Sequence, residues 1–121
     1  MRAGIMNNFP KRGEIWLVEF DPKVGHEQGG TRPALILQNN IGNQYGSTTI
    51  VAAMTTNLRE MPVHVLLDKK DGVEKNCMLM LEQIHTIDKK RLVKKLGQIN
   101  EQKFSEIFNA VMYSLGFNNL E

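Results

Sequence analysis

The chain has 121 residues, of which 41% are hydrophobic, and its formal net charge is +2. This length predicts one domain with a packed core, and the hydrophobic content excludes a largely disordered chain. The small positive charge is compatible with a nucleic-acid partner but does not by itself indicate one. The single cysteine, Cys77, excludes an intrachain disulfide and is predicted to be a buried thiol in a reducing compartment.

The sequence leads us to expect neither a membrane span nor an export signal. No apolar run approaches the roughly 20 residues that a membrane span requires. The first ten residues, MRAGIMNNFP, lack the continuous apolar segment of a secretory signal. We therefore expect a cytoplasmic protein without a membrane partner, with residues 1–10 as a flexible N-terminal extension and residues 11–117 as a single domain.

Three segments in the first half of the chain are predicted to be strands. GEIWLVEFDP (13–22) alternates in hydrophobicity and ends at an Asp-Pro turn pair. RPALILQN (32–39) carries its proline at the beginning, where a missing N–H is tolerated. TTIVAAMTT (48–56) is almost entirely apolar or β-branched, which is typical of a central strand. The intervening segments, 23–31 and IGNQYGS (41–47), are predicted to be loops.

The second half of the chain adds two or three strands and one clear helix. Strands are predicted at VHVLLD (63–68), around Cys77 to Leu81, and near Lys94 to Ile99, the last after a helical turn capped by Asp88. EQKFSEIFNAVMYSLG (101–116) shows the spacing of an amphipathic helix. Its apolar positions are Phe104, Ile107, Phe108, Val111, Met112 and Leu115. The connections are too short for parallel crossovers, so the predicted fold is a small, mainly β, largely antiparallel barrel with a C-terminal helix.

A polar, glycine-rich loop precedes the second strand. Its candidate functional residues are His26, Glu27, Gln28, Gly29, Gly30 and Arg32. Paired glycines let the backbone approach a ligand closely, and a planar guanidinium binds two phosphate oxygens at once. Arg32 lies where the loop joins the strand. It is a candidate for binding phosphate and, equally, for a structural salt bridge to Glu27 or Glu82.

Two further strand ends carry polar side chains. Thr55 and Thr56 end the third strand, beside the expected position of Arg32, where a hydroxyl could donate a second hydrogen bond to one phosphate. Glu82 and Gln83 follow an apolar strand, and carboxylate and amide groups are the usual readers of base edges. The alternatives are structural: the threonines could simply cap backbone groups, and Glu82 and Gln83 could simply lie at a solvated strand end.

Other chemistries lack the spacing they require. His26, His64, His85 and Cys77 occur singly, without the paired spacing of metal ligands. The glycine-rich loop is not followed by a helix, as a phosphate loop for a nucleotide would be. We therefore expect neither a metal nor a cofactor. The basic run KKRLVKK (89–95) is interpreted as a solvated face or as a contact to a phosphate backbone or an acidic partner.

Three segments, taken in order, resemble the MazF/PemK family of toxin endoribonucleases: KRGEIWLVEFDPKVGHEQGGTRPALILQN, IVAAMTTN and LEQIHTID. The resemblance covers roughly Lys11 to Leu115 and is specific as an ordered set. It implies one toxin domain with an SH3-like barrel of the CcdB/MazF type, a C-terminal helix, and assembly as a homodimer.

The resemblance also implies an activity. A toxin of a type II toxin–antitoxin system would cleave single-stranded RNA, including mRNA, at a short sequence without a metal. The ends would be a 2′,3′-cyclic phosphate and a 5′-hydroxyl, and translation and growth would be inhibited. The protein partner would be a MazE-like antitoxin whose C-terminal tail covers the RNA site. The alternative is a non-catalytic, CcdB-like toxin that inhibits gyrase.

Site residues are carried over from the family motifs position by position. The predicted catalytic residues are Arg32, Thr55, His26 and Glu27. The predicted RNA contacts are Gln28, Gly29, Gly30, Thr56, Glu82 and Gln83. Many chromosomal members have Ser at the position of His26. The plasmid Kid/PemK branch has a His base there and an Asp acid at the position of Glu82, but it also has an Arg where this chain has Met80.

Overall fold

The computed structural model describes residues 8–117. Its strands are β1 (Glu14–Glu19), β2 (Thr31–Ile36), β3 (Thr48–Thr55), β4 (His64–Leu67), β5 (Cys77–Asp88) and β6 (Leu92–Gln98). Its α-helices are α1 (Asn40–Tyr45) and α2 (Phe104–Ser114), and 3₁₀ turns lie at Lys69–Asp71, Lys89–Arg91 and Glu101–Lys103. Residues 1–7 of the predicted N-terminal extension lie outside the described range. Of its remaining residues, Phe9 lies 4.5 Å below the Lys11 ammonium and Pro10 is buried.

All six strands form one antiparallel sheet in the order β4-β5-β3-β2-β1-β6. The mainly β fold with a C-terminal helix is therefore confirmed, and β3 is central as predicted. Irregularities in the β1–β6 and β3–β5 pairings bend the sheet, as bulges do. The sheet does not close, because β4 and β6 remain its two edges.

Alternating side chains divide the interior into two cores, one on each face of the sheet. The helix-side core contains Ile15, Leu35, Ala52, Met54, Val65, Leu67, Cys77, Leu79, Leu81, Ile99, Ile107 and Ala110. The second core contains Val18, Phe20, Ala34, Ile36, Val51, Ala53 and Ile87. Cys77 is buried as predicted, and burial together with the Asp71 charge raises the pKa of its thiol.

Helix α2 covers the helix-side core with a narrower face than its sequence pattern predicts. Ile107 and Ala110 are 3% and 2% exposed, and burying an isoleucine contributes about 1.5–3 kcal/mol. Two of the apolar positions in the helical pattern do not pack inward, because the side chains of Phe108 and Leu115 are 63% and 57% exposed. The apolar face of α2 is therefore wider than the part of it that the sheet covers.

Two local predictions need correction. The segment predicted as a loop after β2 forms α1, because the Asn39 side chain caps it by accepting from the Gly42 N–H at 2.8 Å. Its buried Asn43 accepts from the Thr49 hydroxyl at 2.6 Å, which ties the helix to β3. The fifth strand also extends beyond the predicted apolar segment, to Asp88, which caps the following turn as predicted.

Candidate functional site

Hydrogen bonds hold the two ends of the glycine-rich loop together. The Phe20 N–H donates to the Gly30 carbonyl at 2.9 Å, and the Gly30 N–H donates to Asp21 Oδ1 at 2.8 Å. Gly30 has a φ of +75°, a conformation that favours glycine. The Arg91 guanidinium braces the same end of β1 by donating to the Glu19 and Asp21 carbonyls. Both ends of the glycine-rich loop are therefore held in place by hydrogen bonds.

Arg32 lies near the start of β2 with its guanidinium exposed. Its Nε donates to the Gly29 carbonyl at 2.9 Å, which orients the side chain along the loop. Within residues 8–117 no carboxylate lies within 4.0 Å of the guanidinium nitrogens, so the salt bridge to Glu27 or Glu82 that we considered does not form. The remaining donors of Arg32 are available to an anion.

Thr55 lies across from Arg32 on the neighbouring strand. The β2–β3 register pairs Ala34 with Ala53, and Arg32 and Thr55 each lie two residues beyond that pair. Both therefore project from the face of the second core, to which Ala34 and Ala53 belong. The Thr55 hydroxyl oxygen accepts from the Asn57 N–H at 3.1 Å, so its own proton is available for donation.

A pocket of about 350 Å³ opens where β2 begins and β3 ends. Arg32, Thr55 and Thr56 contribute to its lining at the strand ends, but the pocket extends toward the opposite face of the sheet, since it is also lined by three members of the helix-side core, Ile15, Met54 and Cys77. Glu74 and Lys75 line it from the connection that leads into β5, and both are exposed. Sequence reasoning missed these two residues, because only the β3–β5 pairing brings their connection beside Thr55.

The predicted loop residues differ in how they are held. His26 is exposed and makes no hydrogen bond or ion pair to any residue between 8 and 117. Glu27 closes a turn, since its Oε1 accepts from the Val24 N–H at 2.9 Å. Gln28 is half-buried and donates to the Gly29 carbonyl at 3.3 Å. Only His26 is free of such contacts.

His85, which was not singled out as a site residue, lies on β5 facing the second core. Its ring centroid is 5.1 Å from that of Phe20, and its Nε2 is buried without a hydrogen-bond partner among the described residues. Burial lowers the pKa of this imidazole, and the nearby Glu27 carboxylate partly offsets that shift. The loop and this part of β5 are therefore neighbours.

Glu82 and Gln83 lie in an irregularity of β5, not at the predicted end of a strand. Ala52 and Ala53 pair with Ile84 and Met80, so residues 81–83 are inserted between consecutive pairs. Glu82 Oε2 lies 2.9 Å from His64 Nε2 on β4. The structure therefore groups Arg32, Thr55 and Thr56 at the adjoining ends of β2 and β3. It places Glu82 elsewhere, beside His64 on β4.

Three of the five cations in the basic run contact other parts of the chain. Besides Arg91, the Lys89 ammonium donates to the Asn43 carbonyl, and Lys95 Nζ lies 3.2 Å from Glu14 Oε2. Burial of the Glu14 carboxyl raises its pKa, but hydrogen bonds from the Lys11 N–H and the Trp16 indole, with the Lys95 charge, produce a net lowering. Lys90, Lys94 and Lys95 are nevertheless exposed, so part of the run is the solvated face that we expected, and its contact to a phosphate backbone or an acidic partner stays a prediction.

No helix within residues 8–117 is long and apolar enough to span a membrane. Groups of three or more His, Cys, Asp or Glu side chains arranged to hold a metal ion are likewise absent from this range.

The chain is similar to known proteins over nearly its whole length. It is 46% identical over 114 residues to the endoribonuclease MazF of Staphylococcus epidermidis, covering 92% of this chain and 95% of the relative. A crystal structure of MazF (Form-I) from Deinococcus radiodurans aligns with a TM-score of 0.79 and 26% identity, over 89% of this chain and 97% of that one.

The crystal structure of MazE–MazF (Form-II) from Deinococcus radiodurans aligns with a TM-score of 0.73 and 25% identity, over 90% of this chain and 97% of that one. Residues 11–115 match the family described as PemK-like, MazF-like toxin of type II toxin-antitoxin system. The chain therefore belongs to the family of PemK-like and MazF-like toxins.

Proposed function

We propose that the protein is a toxin endoribonuclease that cleaves single-stranded RNA in the cytoplasm, at a short sequence and without a metal. Family membership and the 46% identity to an endoribonuclease MazF support this activity. The structural observation that carries it is the guanidinium of Arg32, which has no carboxylate partner among the described residues and lies across from the Thr55 hydroxyl. This pair suits one phosphate group of an RNA chain.

Cleavage requires charge stabilisation at the phosphorus. As the ribose 2′-oxygen attacks, negative charge develops on the non-bridging phosphate oxygens. The Arg32 guanidinium would bind these oxygens, and the Thr55 hydroxyl would donate a further hydrogen bond to one of them. Donors aimed at developing charge commonly contribute on the order of 10²–10³ in rate.

Two proton transfers complete the reaction. The 2′-hydroxyl gives its proton to a base as its oxygen bonds to phosphorus, and the 5′-oxygen takes a proton as its bond to phosphorus breaks. The products are a 2′,3′-cyclic phosphate and a 5′-hydroxyl. We assign one transfer to His26, because its imidazole is exposed and makes no hydrogen bond within residues 8–117. Glu27, held in its turn nearby, is the candidate for the other.

The remaining predicted residues would hold the RNA. Gly29 and Gly30 let the RNA backbone approach the loop, with Gln28 beside them and Thr56 at the pocket. Glu82 and Gln83 would contact bases from the irregularity in β5. These roles follow from the family motifs and remain proposals.

The partners follow from the same family. We propose a homodimer controlled by a MazE-like antitoxin whose C-terminal tail covers the RNA site. The type II toxin–antitoxin description and a relative solved as MazE–MazF support this proposal. The alternative, a CcdB-like gyrase inhibitor, is not favoured, because the matched family and relative are MazF-like.

The deciding experiment incubates the purified protein with a long single-stranded RNA in excess EDTA and maps the cut ends. We expect cuts at one short sequence with 5′-hydroxyl ends. Arg32→Ala should reduce the rate on the order of 10²–10³. Arg32→Lys, which keeps the charge but not the planar fork, should fall between the two.

Folded wild-type protein that leaves the RNA intact in both EDTA and magnesium would overturn the endoribonuclease proposal. Cleavage that requires magnesium would overturn its metal-independent form. Equal rates for wild type and Arg32→Ala would remove Arg32 from the mechanism.

A further inference from the structure

His64 lies between two oxygen atoms from different parts of the chain. Its Nδ1 is 2.8 Å from the Arg59 carbonyl, in the connection between β3 and β4, and its Nε2 is 2.9 Å from Glu82 Oε2 on β5. The His64 side chain is only 5% exposed, so the ring has little freedom to turn. Because the Arg59 carbonyl and an ionised Glu82 carboxylate can only accept, both contacts are hydrogen bonds at once when both ring nitrogens carry a proton, that is, in the imidazolium form. Nδ1 then donates to Arg59, which fixes the plane of the ring, and Nε2 donates to Glu82.

Glu82 is held by one oxygen and open at the other. Its side chain is 37% exposed, and its Oε1 makes no hydrogen bond within the described residues. The insertion in β5 moves this residue out of the regular pairing with β3. The adjacent Leu81 N–H donates to the Val63 carbonyl at 2.9 Å, which anchors the insertion to β4. Bulges of this kind re-aim side chains.

The pair lies on the same face of the sheet as Arg32 and Thr55. His64 is directly opposite Met80, and Met80 is opposite Ala53, which shares a face with Thr55. His64 lies two strand spacings from β3 and is level with Ala53, two residues along the strand from Thr55, which gives a separation of roughly 12 Å from Thr55. A base close to the cleaved phosphate can therefore reach Glu82.

We propose that His64 is a positioning residue that holds Glu82 for base recognition. Through Nε2 it fixes the Glu82 carboxylate, so that Oε1 accepts a hydrogen bond from the exocyclic amino group of one RNA base. This inference rests on the proposed endoribonuclease function and extends it to a determinant of sequence preference.

The chemistry of the carboxylate defines the base class. An ionised carboxylate only accepts hydrogen bonds, so it favours cytosine, adenine or guanine, each of which presents an exocyclic amino group, over uracil, which presents none. Without His64 the Glu82 side chain would rotate freely, and the preference would weaken although the carboxylate remains.

The test measures kcat/KM on oligoribonucleotides that differ from the mapped cleavage site by one base. At each site position, an amino-bearing base is exchanged for its analogue without the amino group: uracil for cytosine, purine for adenine, or hypoxanthine for guanine. For wild type we expect one position near the cut at which the amino group raises kcat/KM roughly 10-fold or more. His64→Ala should abolish most of that ratio at that position alone.

Three variants separate positioning from a general loss of structure. Glu82→Ala should lose the same ratio, and the double variant should lose no more than Glu82→Ala alone, because His64 acts through Glu82. His64→Gln, whose amide can still donate to Glu82, should retain part of the ratio. Thr86→Ala on the same strand is the control and should keep the whole ratio.

The outcomes remain distinguishable. Wild type that cuts no RNA overturns the proposed function. Wild type that cuts, with His64→Ala keeping the full ratio or losing discrimination equally at all positions, overturns the positioning role alone. If circular dichroism shows that His64→Ala is unfolded, the test uses His64→Gln and Glu82→Ala instead. If both variants keep the full kcat/KM ratio at every site position, or lose it equally at all positions, the positioning role is overturned.

Discussion

At the scale of single residues, the proposed site is defined by which polar groups lack internal partners. Arg91 has two backbone carbonyls, whereas Arg32 bonds only the Gly29 carbonyl through Nε. A guanidinium without a carboxylate is ready to bind a phosphate from solution. The sequence analysis singled out Arg32 and included Arg91 only in the basic run, so the carbonyl contacts that occupy Arg91 emerged from the structure alone.

We predict that Arg32→Ala weakens RNA binding in a salt-dependent way. Neutralising one phosphate of a single strand contributes about 0.7 to the slope of log K against log salt concentration, so the variant's slope should be smaller by about 0.7. Titration of a fluorescent, uncleavable oligonucleotide at several salt concentrations measures this. A parallel shift with an unchanged slope would show that Arg32 makes no phosphate contact.

The buried imidazole of His85 gives the fold a pH dependence. Its pKa is lowered from the ordinary value of 6.5, chiefly by burial, so the unfolded chain binds the proton more readily than the folded one. The stability this group contributes is therefore present above pH 6.5 and is lost as the pH falls through the folded pKa.

We predict that the free energy of unfolding decreases between pH 7 and pH 5, and that His85→Leu reduces this decrease. Urea denaturation at a series of pH values gives the comparison, and the difference between the two proteins isolates His85 from other titrating groups. Parallel curves for the two proteins would mean that His85 does not contribute in this range.

At the scale of elements, the backbone of β6 packs directly against the backbone of the turn that follows β4. Gly72 has a φ of +86°, and a Cβ there would lie 2.6 Å from the Gln98 carbonyl oxygen. A Cβ on Gly97 would lie 2.6 Å from the Gly72 carbonyl oxygen. Two backbones therefore meet at a distance that only glycine permits, at the rim of the pocket that Arg32 lines.

We predict that Gly72→Ala destabilises the protein clearly more than Gly25→Ala. Both glycines have positive φ, which costs an alanine about 1–2 kcal/mol, but a Cβ on Gly25 meets nothing within 4 Å. Only the Gly72 variant adds a clash with the backbone. Denaturation midpoints of the two variants provide the comparison, and equal losses would contradict the close approach.

At the scale of the whole molecule, the described surface exposes large apolar side chains. Tyr45, Phe108 and Phe117 are 70%, 63% and 70% exposed. Single exposed apolar side chains are normal on a protein surface, whereas a contiguous apolar patch marks a contact with a partner. Their presence is compatible with the homodimer and antitoxin contacts proposed from the family.

We predict a homodimer in solution, with twice the 13.8 kDa mass of the chain by light scattering. We also predict that the cognate antitoxin abolishes RNA cleavage and loses this effect when its C-terminal tail is deleted, because the tail would occupy the RNA site. A monomeric mass at micromolar concentration, or full inhibition by the truncated antitoxin, would contradict the respective proposal.

The sequence by itself determined the features that depend on neighbouring residues. Hydrophobic alternation located the strands, the spacing of apolar residues located α2, and the ordered motifs indicated the family. The extent of β5 was missed, since polar residues continue the strand beyond its apolar segment. The helix at α1 was missed because its stability depends on the buried Asn43 and its contact with Thr49.

Only the tertiary structure decided which side chains meet. His64 and Glu82 are 18 residues apart and come together because the pairing of β4 with β5 and the insertion after Met80 place them side by side. The same holds for Glu74 and Lys75 beside Thr55, and for His85 beside Phe20. Strand register is set by burial across the whole sheet, so no local pattern of residues specifies these contacts.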